Sequence, residues 1–150
     1  MKKSVTLLAL FATVGLTGCM SNAPKGDAAA DQQAKQFLVQ PGKSNLYIYR
    51  NEMLGAAASP EVWLDGKLVG ETNAKTYFVL PVSAGKHSLV SKSATEANSA
   101  LDITVQPGKN AYVWQEIKVG MLTARSKLQE VDEKTGKEGV QECELLQAKQ

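Results

Sequence analysis

The chain has 150 residues, with 17 Lys and Arg against 15 Asp and Glu, one His and two Cys. That length suits one domain, and a formal charge of +2 is too small for a nucleic-acid binder that works through a basic surface. Hydrophobic residues at 43% and charged residues at 21% argue against a wholly disordered chain, and one histidine with two cysteines almost excludes a structural zinc site.

The first twenty residues set the domain organisation. Met1-Lys2-Lys3-Ser4 is a short basic start, and Val5 to Leu16 is a 12-residue apolar run. A membrane-spanning helix needs about 20 residues, so this run reads as the core of a secretory signal peptide. It ends in Leu16-Thr17-Gly18-Cys19, which resembles the lipobox of bacterial lipoproteins. The resemblance implies cleavage before Cys19, a diacylglycerol on its sulfur and an acylated amine. Each buried lipid CH₂ contributes about 0.8 kcal/mol, so several acyl chains make release from the bilayer negligible. Met20 is not Asp, which under the sorting rule for such lipoproteins directs the chain to the outer membrane. Loss of residues 1–18 removes Lys2 and Lys3 and no acid, leaving basic and acidic side chains in balance.

Ser21 to Lys43 is rich in Ala, Gln, Asp and Pro and lacks strand alternation. Its composition suggests a flexible tether, so residues 19–44 are expected to be the lipidated N-terminus and tether, with a helical turn around Ala28 to Lys35. The cluster Phe37-Leu38-Val39 leaves open an added edge strand.

Residues 45–150 read as a single β-rich domain. Asn45–Arg50 is dense in β-formers and looks like a central strand. Asn51–Ser59 is a small-residue loop. Glu61–Asp65 and Lys67–Glu71 flank Asp65-Gly66, a strong hairpin signal. Thr76–Leu80 is a continuous apolar run interrupted by Pro81, and Lys86–Ser91 follows a Gly turn. In Ala100–Gln106, Leu101, Ile103 and Val105 alternate with polar residues, as in a strand with one wet face. Asn110–Val119 and Leu122–Val131 complete the set. In Glu138–Lys149, Val140, Cys143 and Leu146 suit a helix face and Cys143 with Leu145 suits a strand, while composition tips toward a short C-terminal helix. Gly-Lys occurs five times, at Gly42, Gly66, Gly85, Gly108 and Gly136, and is read as turn chemistry because no pair has the glycines, hydroxyl and following helix of a phosphate loop. Seven or eight short strands predict a mainly β fold, an antiparallel β-sandwich or open barrel.

Tyr47-Ile48-Tyr49-Arg50, Val62 to Glu71, Tyr77-Phe78, Ala84 to Leu89 and Pro107 to Val113 follow one another in an order that resembles a family of bacterial lipoproteins catalogued as domain of unknown function 2846. The hairpin followed by Gly85-Lys86-His87 is also similar to PEGA-type β-domains of bacterial surface proteins. The resemblance implies a compact β domain behind a lipid anchor and implies no reaction, cofactor or catalytic residue.

His87 is the only histidine, and a base needs a nucleophile and an orienting acid. Ser83, Ser88 and Ser91 are near in sequence, but no Gly-x-Ser-x-Gly elbow is present. Arg50 beside Glu52 could clamp an anion, or could be a structural ion pair; Arg125 is the only other arginine. Glu61, Asp65, Glu71 and Asp102 are scattered and predict no carboxylate pair. Trp63 and Trp114 could form an exposed strip for glycan or protein. Cys143 has no intrachain partner once Cys19 is lipidated, and its apolar neighbours favour burial. The expected sites are therefore lipidation at Cys19 and possible contacts at Arg50, Trp63, Trp114 and His87, with no catalytic residue, metal or cofactor. The expected function is a non-enzymatic, outer-membrane-anchored periplasmic module bound to the membrane and to an envelope protein. The rivals are a glycan- or ligand-binding module and a hydrolase centred on His87.

Overall fold

In the first strand, Leu46, Ile48 and Arg50 alternate with Tyr47 and Tyr49, and all five side chains are buried. A strand buried on both faces must have a layer on each side. The computed structural model describes residues 23–93, 98–119 and 124–149. The expected signal peptide of residues 1–18 and the lipidation site Cys19 lie outside them.

Strand β1 (Ser44–Arg50) is central in a five-stranded sheet with the order β8 (Ala124–Val131), β7 (Asn110–Val119), β1, β4 (Thr76–Val82), β9 (Glu144–Leu145). A second sheet has the order β3 (Lys67–Glu71), β2 (Glu61–Leu64), β5 (Gly85–Lys92), β6 (Ser99–Val105). The two pack face to face as an open sandwich around Leu46, Ile48, Val62, Phe78, Leu89, Ile103, Val113 and Leu128. The mainly β sandwich is as the sequence predicts, with one refinement. The first sheet is mixed: β7 runs parallel to β1, with Asn45 opposite Asn110, and β9 runs parallel to β4.

The outer face of the first sheet carries a second apolar cluster of Tyr47, Tyr49, Tyr77 and Tyr112 with Val140 and Cys143. Two helices cover it. Helix α1 (Ala28–Ala34) is capped by Asp27, whose carboxylate accepts from Ala30 N at 2.7 Å. Helix α2 (Glu133–Gln141) is capped by Asp132. Its glycines let it approach the tyrosines closely: a Cβ on Gly136 would lie 2.2 Å from Tyr112 Cγ.

Three local expectations change. Residues 23–43 do not hang free as the tether that composition suggests. Ala23 is buried in the sandwich core, Gly26 N donates to Leu145 O at 2.9 Å, and Phe37 packs 5.4 Å from the Tyr47 ring. The helical turn placed at 28–35 is α1, held by tertiary contacts that composition does not record. The tail is not one helix over 138–149, because α2 starts earlier and the chain then forms β9. Finally, the Gly-Lys pairs at Gly42, Gly66, Gly85 and Gly108 sit at positive φ, but Gly136 lies inside α2, so that pair is a packing site and not a turn.

Candidate functional site

The hairpin signal at Asp65-Gly66 becomes a turn with positive φ at both residues, 49° and 79°, the signature of a type I′ turn. This geometry aims the Asp65 side chain back across β5. Asp65 N donates to Ser88 O at 2.8 Å, and Ser88 N donates to Asp65 Oδ1 at 2.9 Å. The other carboxylate oxygen lies 2.7 Å from His87 Nδ1, and His87 Nε2 lies 2.9 Å from Ser83 O. Both partners of the ring are acceptors, so both nitrogens donate only when the ring is an imidazolium. The bond to Asp65 raises the His87 pKa above its ordinary value, aided by the Ser83 carbonyl, and the same bond lowers that of Asp65. The group stitches the β2–β3 turn to the β4–β5 turn beside a 340 Å³ recess that Lys86, Asp102 and Thr104 also line. With both nitrogens engaged, His87 holds no serine hydroxyl. Ser83 offers its carbonyl, and Ser91 lies inside the sandwich, bonded to Gln115 and Ser126.

Arg50 does not face a ligand. It is fully buried, and Nη1 donates to Ala58 O at 2.7 Å while Nη2 donates to Gly55 O at 2.6 Å and Leu54 O at 3.2 Å. Alternation puts it on the inner face with Leu46 and Ile48, which is why it cannot serve as an exposed clamp. Burial lowers its pKa, opposed by the nearby Glu52. Glu52 is itself half-buried and accepts from Ile117 N at 3.0 Å. Arg125 is exposed on β8, two strands away.

The two tryptophans do not share a strip. Trp63 lies on the outer face of the second sheet, opposite in direction to core residue Val62. Its Nε1 donates to Glu61 Oε2 at 2.8 Å, and the Lys92 ammonium stands 3.6 Å from its ring centroid. Trp114 packs into the tyrosine cluster on the outer face of the first sheet. Both are half-buried. Cys143 is buried, with Sγ 3.2 Å from Gly139 O, and burial pushes its thiol pKa up to about 12.

Sequence reasoning placed the loop at residues 51–59 but missed its arrangement: Arg50 at its root and Glu52 turn inward, while Met53 and Leu54 stay 64% and 57% exposed. The signal was the Asn-Glu-Met-Leu order itself, two large apolar residues at a loop tip. A second cleft of 720 Å³ is lined by Ala23, Pro24, Lys25, Asn73 to Thr76, Glu142, Glu144 and Leu146.

An uncharacterized protein of Haemophilus influenzae is 30% identical over 131 residues, covering 87% of this chain and 77% of the relative. No solved structure matches. Residues 40–127, from just before β1 into β8, match the family described as protein of unknown function (DUF2846). That stretch holds Arg50, the Asp65–His87 stitch and both sheets apart from β9 and the second half of β8, and it exceeds half the chain; the chain belongs to the DUF2846 family.

Proposed function

We propose that this protein is a bacterial lipoprotein of the outer membrane, acting at the periplasmic face as a non-enzymatic structural or protein-interaction module. The observation that carries this reading is the order of the N-terminal residues: a basic start, a 12-residue apolar run, then Leu16-Thr17-Gly18-Cys19. A run of that length is an export signal and not a span, and the cysteine after the glycine is where a lipid would attach. Among the described residues, no helix is long and apolar enough to cross a membrane. Attachment would then depend on acyl chains.

The side chains weighed for chemistry support a structural role. His87 is bonded through both nitrogens to turn acceptors, and Arg50 is committed to backbone carbonyls. Kinship with PEGA-type β-domains belongs to the same reading, since the Asp65 hairpin and Gly85-Lys86-His87 that suggest it meet in one stitch.

The test is direct. Wild-type protein should take up labelled fatty acid and fractionate with outer membranes, and Cys19→Ala should do neither. Membrane-bound Cys19→Ala protein, with no label on wild type, would refute the anchor. Crosslinking in the native envelope, followed by identification of the attached chain, tests the interaction role. A His87→Ala protein that stays folded and loses an activity would instead favour the hydrolase.

A further inference from the structure

The 51–59 loop is built inside out. Its charged residues turn inward: Arg50, at the loop's root, is fully buried, and Glu52 accepts from the Ile117 amide. Its apolar residues point to solvent: Met53 and Leu54 are 64% and 57% exposed, and Ala56 and Ala57 are exposed beside them. Burying a guanidinium is costly unless its donors are satisfied. Here Nη1 and Nη2 fasten Leu54, Gly55 and Ala58 by their carbonyls, while Nε is buried without a partner among the described residues. The loop is further tied by Ala58 N to Gly55 O at 2.8 Å and by Ser59 Oγ to Asn73 Oδ1 at 3.0 Å. The result is a rigid apolar tip. Rigidity lowers the cost of docking, because little conformational freedom remains to be lost.

The position of the tip says what it meets. Ser59 bonds Asn73, and Asn73 to Thr76 share the 720 Å³ cleft with Ala23, Pro24 and Lys25. The tip and the point where the chain leaves toward Cys19 therefore border the same end of the sandwich. Cys19 is four residues before Ala23, so its Cα can be carried at most about 14 Å from that of Ala23. The turn at Lys109 sits at the opposite end, away by the length of β1, seven residues or about 23 Å, and Asp65 is stitched through His87 to the β4–β5 turn at that end. A leash that short brings the near end to the lipid headgroups and holds the far turns off them. Lys25 and Lys75 at this end are paired with Glu144 and Glu142, so apolar contact and not a basic patch would drive the docking.

We infer that the 51–59 loop is a membrane-docking tip, inserting Met53 and Leu54 into the headgroup–acyl boundary of the bilayer that holds Cys19. This rests on the lipid anchor of the proposed function. It orients the domain with the Arg50 end down and the Asp65–His87 and Lys109 turns toward the periplasm, free for a partner.

The experiment uses full-length lipidated protein in vesicles of phosphatidylethanolamine and phosphatidylglycerol. An environment-sensitive fluorophore is attached through Met53→Cys or, separately, through Lys109→Cys. Cys143 is buried and its thiol is held protonated, so it does not compete for label. Fatty-acid content is measured on the same preparations. The expected result is a blue-shifted label at position 53, quenched about twofold or more by nitroxide-bearing lipids, and a label at position 109 that is neither shifted nor quenched. Raised salt should leave the quenching unchanged. Lipidated protein whose label at 53 stays in water overturns the docking while leaving the anchor intact. Protein that carries no fatty acid overturns both. A label at 53 that shifts only in native envelopes, and not in pure lipid, assigns the tip to a protein and overturns the lipid assignment.

Discussion

His87 sits between two acceptors, the Asp65 carboxylate and the Ser83 carbonyl. A neutral ring has one N–H and leaves one of these contacts repulsive. Folding therefore raises the His87 pKa, and linkage fixes the sign. The stitch contributes fully below the unfolded value of about 6.5 and is lost as pH rises through the higher folded value. Asp65 works in the opposite sense. Its lowered pKa contributes above the unfolded value of about 3.9 and is lost as pH falls through the folded one. Thermal melts should show stability falling from mildly acidic to alkaline pH, and His87→Gln should flatten that slope. A wild-type melting temperature that is level across neutrality would remove the stitch from the stability of the fold. Cys143 supplies a second residue-scale test. Buried, with a thiol pKa of about 12, it should resist a thiol reagent at pH 8 in native protein and react fully in denaturant, and non-reducing gels should show monomer. Rapid native labelling, or a dimer band lost on reduction, would contradict its burial.

Helix α2 shows why element-level packing was only half legible in the sequence. Glycine in a helix interior usually costs about 0.5–1 kcal/mol relative to alanine, so Gly136 and Gly139 read as weak helix or as turn. Here they are the contact surface. A Cβ on Gly139 would lie 2.1 Å from Tyr49 Cε2, and the Tyr49 ring is itself buried and cannot step aside. Overpacking of that kind costs about 1–3 kcal/mol, which outweighs the propensity gain. Gly139→Ala should therefore lower the denaturant midpoint, while Glu138→Ala, exposed on the same helix, should leave it near wild type. A stabilised Gly139→Ala protein would mean that α2 does not rest on the tyrosines. The strands were legible because period-2 alternation and turn residues are local signals, and the Asp65 hairpin announced itself in two residues. What the sequence hid is non-local. The parallel pairing of β1 with β7 and the two-residue β9 depend on partners more than 60 residues away, and α1 docks on Tyr47, Tyr77 and Leu145, which are 13, 46 and 114 residues distant. Arg50 was visible as a candidate, but its role was not. Alternation from Leu46 and Ile48 puts it inward, a point outweighed in sequence by its charge.

At the scale of the whole molecule, the sandwich is closed on one long side by its termini. On that side β3 is a sheet edge, and β4 would be one without the two-residue β9; open edges invite pairing with other chains. Residues 144–149 cover both: Leu146 N donates to Tyr77 O on β4 at 2.8 Å, and Lys149 N donates to Val69 O on β3 at 2.7 Å. The N-terminal segment then lies on this strap, with Gly26 N to Leu145 O at 2.9 Å, Gln147 N to Pro24 O at 2.8 Å and a Lys25–Glu144 ion pair. The C-terminal strap therefore holds the segment that begins at Ala23, and the proposed membrane orientation depends on that hold. A protein ending at Gln141 should lose at least the burial of Leu146, which is 3% exposed; fully burying such a side chain stabilises by about 1.5–3 kcal/mol. It should also free residues 23–43. Limited trypsin digestion should then cut at Lys25 and Lys35, whose backbone is held in the full chain by the Lys25–Leu146 bridge and the Lys35 N–H to Asp31 O, and the denaturant midpoint should fall. If the truncated chain keeps both its midpoint and its protection at these lysines, the termini do not brace the sandwich. The domain would then swing on a leash longer than four residues.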